Sequence, residues 1–321
     1  VRVLRGAGWL ALAALAAGLA AALLVWRVSE RLLRPEGYAH PGAASEGAPP
    51  DPESEHGLAF EAVRFATAGG SELAGWFVPG APRFPFAVVL VHGAGEDRRT
   101  FLGHLPFLHE AGYAVLLFDL RDHGASAGAA RGSGLGFREL IDVSAAVRFA
   151  KHERGIERAA VLGIALGADA ALLAAAGDSE IDAVIAEAPY GSTLELARRA
   201  APGTPERLRR AAVDLALRRV AALGEPQPIE VVGRIAPRAL LLVASAADPA
   251  GSQEVALALF AAAREPKEVW IAERGGRGGF HAAQPEEYRR RLLGFLGRWL
   301  APPAPRGAAE PAAPQPGAPT P

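Results

Sequence analysis

Six short apolar runs, 87–91, 114–119, 159–162, 183–187, 239–245 and 267–271, alternate with amphipathic stretches near 102–111, 137–152, 166–176, 194–223, 252–264 and 285–300. Strands this evenly apolar must be buried on both faces, which requires parallel neighbours in the sheet and helices packed on either side. Ahead of them, 60–65 and 73–78 flank the turn Ala68-Gly69-Gly70-Ser71, the pattern of an antiparallel hairpin. The expected fold is therefore α/β: a mostly parallel central sheet of about eight strands flanked by helices, with a small helical, cap-like insertion at 191–236 before the run 239–245. Ligands of such sheets bind beyond the carboxyl ends of the strands, so the residues that follow each run are where chemistry is sought.

After the run 159–162 comes Gly163-Ile164-Ala165-Leu166-Gly167, and then an alanine-rich helical stretch. In this strand-turn-helix setting the pattern G-x-S-x-G holds a nucleophilic serine at the tip of a strained turn. The flanking glycines, Gly163 and Gly167, permit the turn and the close packing behind it. The central residue here is Ala165, and a methyl group cannot attack a carbonyl.

Other strand ends carry further pieces of the same chemistry. His92-Gly93-Ala94-Gly95 follows 87–91, and this loop can aim the backbone N–H of Ala94, together with that of Leu166, at a developing oxyanion. His92 is expected to shape this loop. Asp248 follows 239–245, and His281 follows 267–271 and a glycine-rich segment, so turn, acid and histidine occur in a catalytic-triad order. The carboxylate would then orient His281 as general base, although Asp-Pro after a strand is also common turn chemistry. Asp169, Ser192, Thr193 and Ser245 are the alternative nucleophiles, and none sits on a sharp turn between strand and helix. His104 and His109 fall on a helical stretch and are expected at or near the surface, while Asp119, Arg121 and His123 are expected to tie loops together. No His-Glu spacing of a zinc helix occurs and cysteine is absent, so no metal and no cofactor are expected.

With 321 residues, half of them hydrophobic, the chain can bury one large core. A formal net charge of −1 lacks the positive excess that phosphate backbones require, so no nucleic-acid partner is expected. The Arg274-Gly275-Gly276-Arg277-Gly278-Gly279 run is taken as a loop. Residues 1–34 hold an uncharged, Ala/Leu-rich segment, 6–26, between Arg2 and Arg5 on one side and Arg27, Arg31 and Arg34 on the other. It is long enough to cross a bilayer, and Trp9 and Trp26 lie where aromatic rings favour the interface. A cleaved signal peptide is the competing reading, given the small residues at 17–22. Residues 35–56 read as a Pro/Gly-rich linker, 57–300 as the folded domain, and 301–321 as a disordered Pro/Ala-rich tail.

The chain resembles the α/β-hydrolase superfamily, near membrane-anchored bacterial hydrolases related to serine-aminopeptidase and prolyl-oligopeptidase-type esterases. The matching residues are Leu73-Ala74-Gly75-Trp76-Phe77-Val78-Pro79, His92-Gly93, Phe118-Asp119-Leu120-Arg121-Asp122-His123-Gly124-Ala125-Ser126, Gly163 and Gly167, Ala188-Pro189-Tyr190, Pro237-Arg238, Asp248 and Gly279-Phe280-His281. The resemblance implies hydrolysis of an ester, thioester or amide, a small acyl or peptide-like ligand, and a single N-terminal anchor in the bacterial inner membrane, with the domain leaning to the extracytoplasmic side. Two positions depart from the pattern: Ala165 stands at the nucleophile, and Ser245 where glycine is common. Three readings remain open at this level. The protein is a hydrolase impaired by its missing serine, a membrane-tethered binding or scaffold module that meets a protein partner, or a weakly active hydrolase in which His281 activates water directly.

Overall fold

In the computed structural model, which describes residues 2–35, 50–82, 84–128, 132–248, 252–276 and 279–300, one eight-stranded sheet runs in the order β1-β2-β4-β3-β5-β6-β7-β8. The strands are β1 (Glu61–Ala66), β2 (Glu72–Val78), β3 (Phe86–Val91), β4 (Ala114–Phe118), β5 (Arg158–Ile164), β6 (Ala183–Glu187), β7 (Ala239–Ser245) and β8 (Lys267–Ala272). β1 and β2 form the expected hairpin and β2 is also antiparallel to β4. From β4 to β8 every pairing is parallel.

The helices are α1 (Arg2–Leu33), α2 (Pro52–His56), α3 (Leu105–Glu110), α4 (Glu139–Arg148), α5 (Leu166–Gly177), α6 (Thr193–Ala200), α7 (Glu206–Arg219), α8 (Pro228–Val231), α9 (Ser252–Ala262), α10 (Phe280–Ala283) and α11 (Pro285–Trp299). Alternation along each strand feeds two cores. Val89, Val91, Leu116, Phe118 and Val161 point to the face covered by α4, α5 and α9. Val88, Leu90, Leu117 and Leu162 point to the other face, against Phe107, Leu292, Phe295 and Leu296 of α3 and α11.

Several sequence expectations change in detail. The stretch 194–223 is not one helix: Pro202, Gly203 and Pro205 separate α6 from α7, because proline lacks the N–H that a continuing helix needs. The linker 35–56 ends in structure, since Asp51 caps α2 by accepting from the Ser54 N–H at 2.8 Å, while residues 36–49 lie outside the described residues. The tail 301–321 also lies outside them. His104, expected at the surface or partly buried, is fully buried beside the second core.

One helix is long and apolar enough to cross a membrane, over Leu12–Leu33 of α1, and a signal sequence near an N-terminus passes the same test. Leu12, Leu15, Leu19, Leu23 and Trp26 are exposed along it. Its last turns are different. Val28, Leu32 and Leu33 are buried against Ala197 of α6, Ala201, and Ala212, Val213, Ala216 and Leu217 of α7, and Glu30 pairs with Arg219 of α7 at 2.5 Å. The packed body therefore reaches back into α1, whose end is part of the fold and not only a tether.

Candidate active site

β3 lies between β4 and β5, so the chain leaves it first to one side and later to the other. A crevice opens at such a point, bordered by the loops after the two adjacent strands. Val91 is in register with Gly163, which brings the loop 92–95 beside the turn at Ala165.

That turn keeps the geometry of a nucleophile elbow. Ala165 has φ 52° and ψ −110°, a conformation that L-residues with a Cβ avoid, and its N–H donates to the Glu187 carbonyl at 2.9 Å. The glycines on either side are required by close approach. A Cβ on Gly163 would lie 2.2 Å from the Gly167 carbonyl oxygen, and one on Gly167 would lie 2.2 Å from that of Val91. Ala165 borders a cavity of about 620 Å³, together with Ala94, Leu166, Tyr190, Ser133 and Asp248.

The loop 92–95 is fastened from behind. Nδ1 of His92 lies 2.7 Å from the Gly93 carbonyl, and its Nε2 accepts from the Leu120 N–H at 3.0 Å. Nδ1 therefore carries the proton. Burial, reinforced by the neighbouring His123, lowers the His92 pKa to about 3 and keeps the ring neutral. The Gly93 N–H donates to Glu96 Oε2 at 3.0 Å and the Gly95 N–H to His123 Nε2 at 3.3 Å. The Ala94 N–H between them has no acceptor among the described residues. As the first residue of α5, Leu166 likewise has no intrahelical acceptor for its N–H. Two unsatisfied donors therefore border the cavity at the elbow.

The loop after β4 is structural, as expected. Asp119 accepts from the N–H groups of Arg98 at 2.9 Å and Ala125 at 2.7 Å, and Arg121 forms a buried ion pair with Asp142, Nε to Oδ2 at 2.9 Å.

None of the alternative nucleophiles borders this cavity. Asp169 is buried behind the elbow, where it accepts from the Gly191 N–H at 3.0 Å and burial raises its pKa to about 7. Ser192 caps α6 by accepting from Glu195, Thr193 donates to Gln227 at 3.0 Å, and the Ser245 hydroxyl accepts from the Ala247 N–H at 3.0 Å. The serine that does border the cavity, Ser133, went unremarked in the sequence; its oxygen accepts from the Leu135 N–H at 3.0 Å.

His281 stands apart from the arrangement expected of it. Asp248 borders the cavity, but His281 does not. The imidazole sits over Gly103 and packs against the rings of His104, Phe107 and Tyr288 at 5.0, 5.5 and 5.5 Å between centres. Burial and then Arg289 lower its pKa.

Behind that cluster lies a buried polar chain that no sequence motif announces. The Tyr288 hydroxyl donates to Glu187 Oε1 at the end of β6, and His104 Nε2 lies 3.0 Å from the same hydroxyl. If tyrosine donates to the carboxylate, His104 donates through Nε2, which leaves its Nδ1 as the acceptor; that atom is buried with no partner. Burial raises the Glu187 pKa to about 7 and lowers that of His104 to about 3. A carboxyl whose folded pKa is raised contributes stability that is complete below its unfolded value, 4.5, and is lost as pH rises through about 7. Glu187→Gln removes the titration and keeps an acceptor for Tyr288. Its urea-unfolding free energy in detergent should accordingly gain on the native protein by up to about 3 kcal/mol between pH 5 and pH 8. Parallel pH profiles for the two proteins would contradict this account.

Comparison with known proteins agrees with the geometry. Residues 85–229 match the family described as serine aminopeptidase, S33. The uncharacterized protein YfhR of Escherichia coli (strain K12) is 26% identical over 257 residues, covering 77% of this chain and 82% of that protein. Among solved structures, the Pyrococcus furiosus esterase Pf2001 superposes with a TM-score of 0.65 at 22% identity, over 82% of this chain and all (100%) of that one. The α/β hydrolase GrgF from Penicillium sp. sh18 gives 0.63 at 24% identity, over 76% and 100%. Sheet order and sequence match converge: the chain has an α/β-hydrolase fold, and its residues 85–229 are similar to the family described as serine aminopeptidase, S33.

Proposed function

We propose that this protein is a membrane-anchored member of a serine hydrolase family that binds ester-, thioester- or amide-like acyl groups and is disabled for their hydrolysis at Ala165. The observation that carries the reading is the elbow itself: a left-handed alanine at the cavity, with two unsatisfied N–H donors beside it and a methyl where the attacking oxygen belongs. A carbonyl can be polarised there, but no acyl-enzyme can form. Loss of the nucleophile from a serine triad costs on the order of 10⁶ in turnover. Direct activation of water by His281 is the weaker reading, because the imidazole does not border the cavity.

The test compares the native protein with Ala165→Ser using a fluorophosphonate probe, which reacts only with an activated hydroxyl. The native protein should stay unlabelled and the serine variant should label. Labelling of the native chain would place a nucleophile elsewhere, and an unreactive serine variant would remove the acyl-site reading altogether. Anchoring through α1 rests on its exposed apolar length. It predicts that the uncleaved chain stays with membranes after carbonate extraction.

A further inference from the structure

One wall of the cavity does not come from the hydrolase sheet. Arg31, Leu32 and Arg34 border it from the last turn of α1 and the residue after it, and Leu196 and Arg199 border it from α6. α1 is fixed in this position by its buried side chains, by the Glu30–Arg219 pair, and by its Leu33 carbonyl, which accepts from the Ser133 N–H at 2.7 Å. The approach is close enough that a Cβ on Gly132 would lie 2.5 Å from that carbonyl. Anchor and cavity wall are one rigid helix.

The helix also sets the depth of the wall. At 1.5 Å per residue, Arg31 lies about 8 Å and Arg34 about 12 Å along the axis beyond Trp26, the last large apolar residue exposed on α1. The polar layer outside the hydrocarbon is about 5–8 Å thick on each side of a bilayer. If Trp26 marks the edge of the hydrocarbon, Arg31 stands at the outer limit of that polar layer and Arg34 about 4 Å beyond it, so the cavity mouth opens at the membrane surface.

Charge is distributed to match. Arg31 has no ion pair among the described residues and is exposed, Arg34 shares Glu30 with Arg219, and Arg199 pairs with Glu195 at 3.7 Å and lies against the Tyr190 ring at 5.2 Å. The carboxylates on the cavity, Glu96 and Asp248, belong to the strand-end loops rather than to the α1 wall, and Glu96 is engaged by the Gly93 N–H. A volume of about 620 Å³ holds a headgroup and part of one chain.

We propose that the cavity takes a single-chain anionic amphiphile from the membrane surface, its phosphate or carboxylate against Arg31 and Arg34 and its acyl carbonyl toward the N–H groups of Ala94 and Leu166. This deepens the acyl-site reading and rests on it and on α1 as the anchor. A water-soluble anionic ester would satisfy the same arginines, and the experiment separates the two sources.

The full-length protein is reconstituted in phosphatidylcholine vesicles and irradiated with a trace of diazirine-bearing lysophosphatidylglycerol. Unlabelled lysophosphatidylglycerol should compete for crosslinking at about one-tenth the concentration needed for lysophosphatidylcholine of the same chain length, and glycerol 3-phosphate should not compete. Arg31→Ala/Arg34→Ala should lower the crosslinking yield about tenfold, the size expected for loss of partly exposed charge-assisted contacts. Arg31→Ala alone disturbs no ion pair among the described residues and should show part of the effect. Equal competition by the two lysolipids, effective competition by glycerol 3-phosphate, or indifference to both arginine variants would each overturn the proposal. Fluorophosphonate labelling of Ala165→Ser, run in parallel, reports separately on the acyl-site reading: labelling with arginine-insensitive crosslinking sinks the lipid inference alone.

Discussion

Replacing Ala165 with serine is expected to give a protein that reacts with fluorophosphonates and p-nitrophenyl esters where the native chain should not, with hydrolysis rising at least about 10³-fold. The elbow is already in the required conformation, with φ 52° at position 165, so the new hydroxyl arrives without backbone movement. Its donors are in place at Ala94 and Leu166. A full triad would supply about 10⁶, and any shortfall measures how far His281 is from serving as its base. The imidazole packs against the rings of Phe107 and His104. Adding His281→Ala to the serine variant should return hydrolysis to near the native level. A serine variant equally active without His281 would assign the base to another residue.

The second large effect is on stability. Gly163→Ala places a methyl 2.2 Å from the Gly167 carbonyl oxygen and 2.4 Å from its carbon, both backbone atoms that no side-chain rotation can clear. β5 and the first turn of α5 must move apart, and the sheet pairing of Gly163 with Val91 and Ala186 resists it. We expect a loss of at least about 3 kcal/mol, at the upper end of overpacking effects because the obstacle is backbone. Gly177→Ala at the other end of α5 is the control, since nothing lies within 4 Å of its added methyl. That variant should be neutral or stabilised by up to about 1 kcal/mol. Urea unfolding of the two variants in detergent decides the matter; equal stabilities would mean that the elbow packing is looser than described.

The strands were legible because their signal is local. Unbroken runs such as Ala-Val-Ile-Ala-Glu at 183–187 and Ala-Leu-Leu-Leu-Val-Ala-Ser at 239–245 fall on β6 and β7 with the same limits. The elbow was legible for the same reason: two glycines and the residue between them define a turn by steric rules that operate within five residues. His104, by contrast, shows nothing in its own neighbourhood of the partner it has in Tyr288, which is 184 residues away. Glu187 ends an apolar strand like any solvated strand end, yet burial against α11 raises its pKa to about 7. Expectation and structure also part at His281. Chain order supplies acid and histidine in triad sequence, but the direction in which the ring points depends on Phe107, His104 and Gly103, which order alone does not place.

From the chain alone came the layered α/β fold, the turn at Ala165 and the absence of its nucleophile, because periodicity, glycine sterics and residue identity are properties of short segments. Only the folded molecule decided that the end of α1 is a wall of the cavity, that Arg31, Arg34 and Arg199 meet there, and that His281 lies among aromatic rings. Those facts depend on packing between segments more than 100 residues apart, such as Leu33 against Leu217, and on burial that appears only when the segments meet.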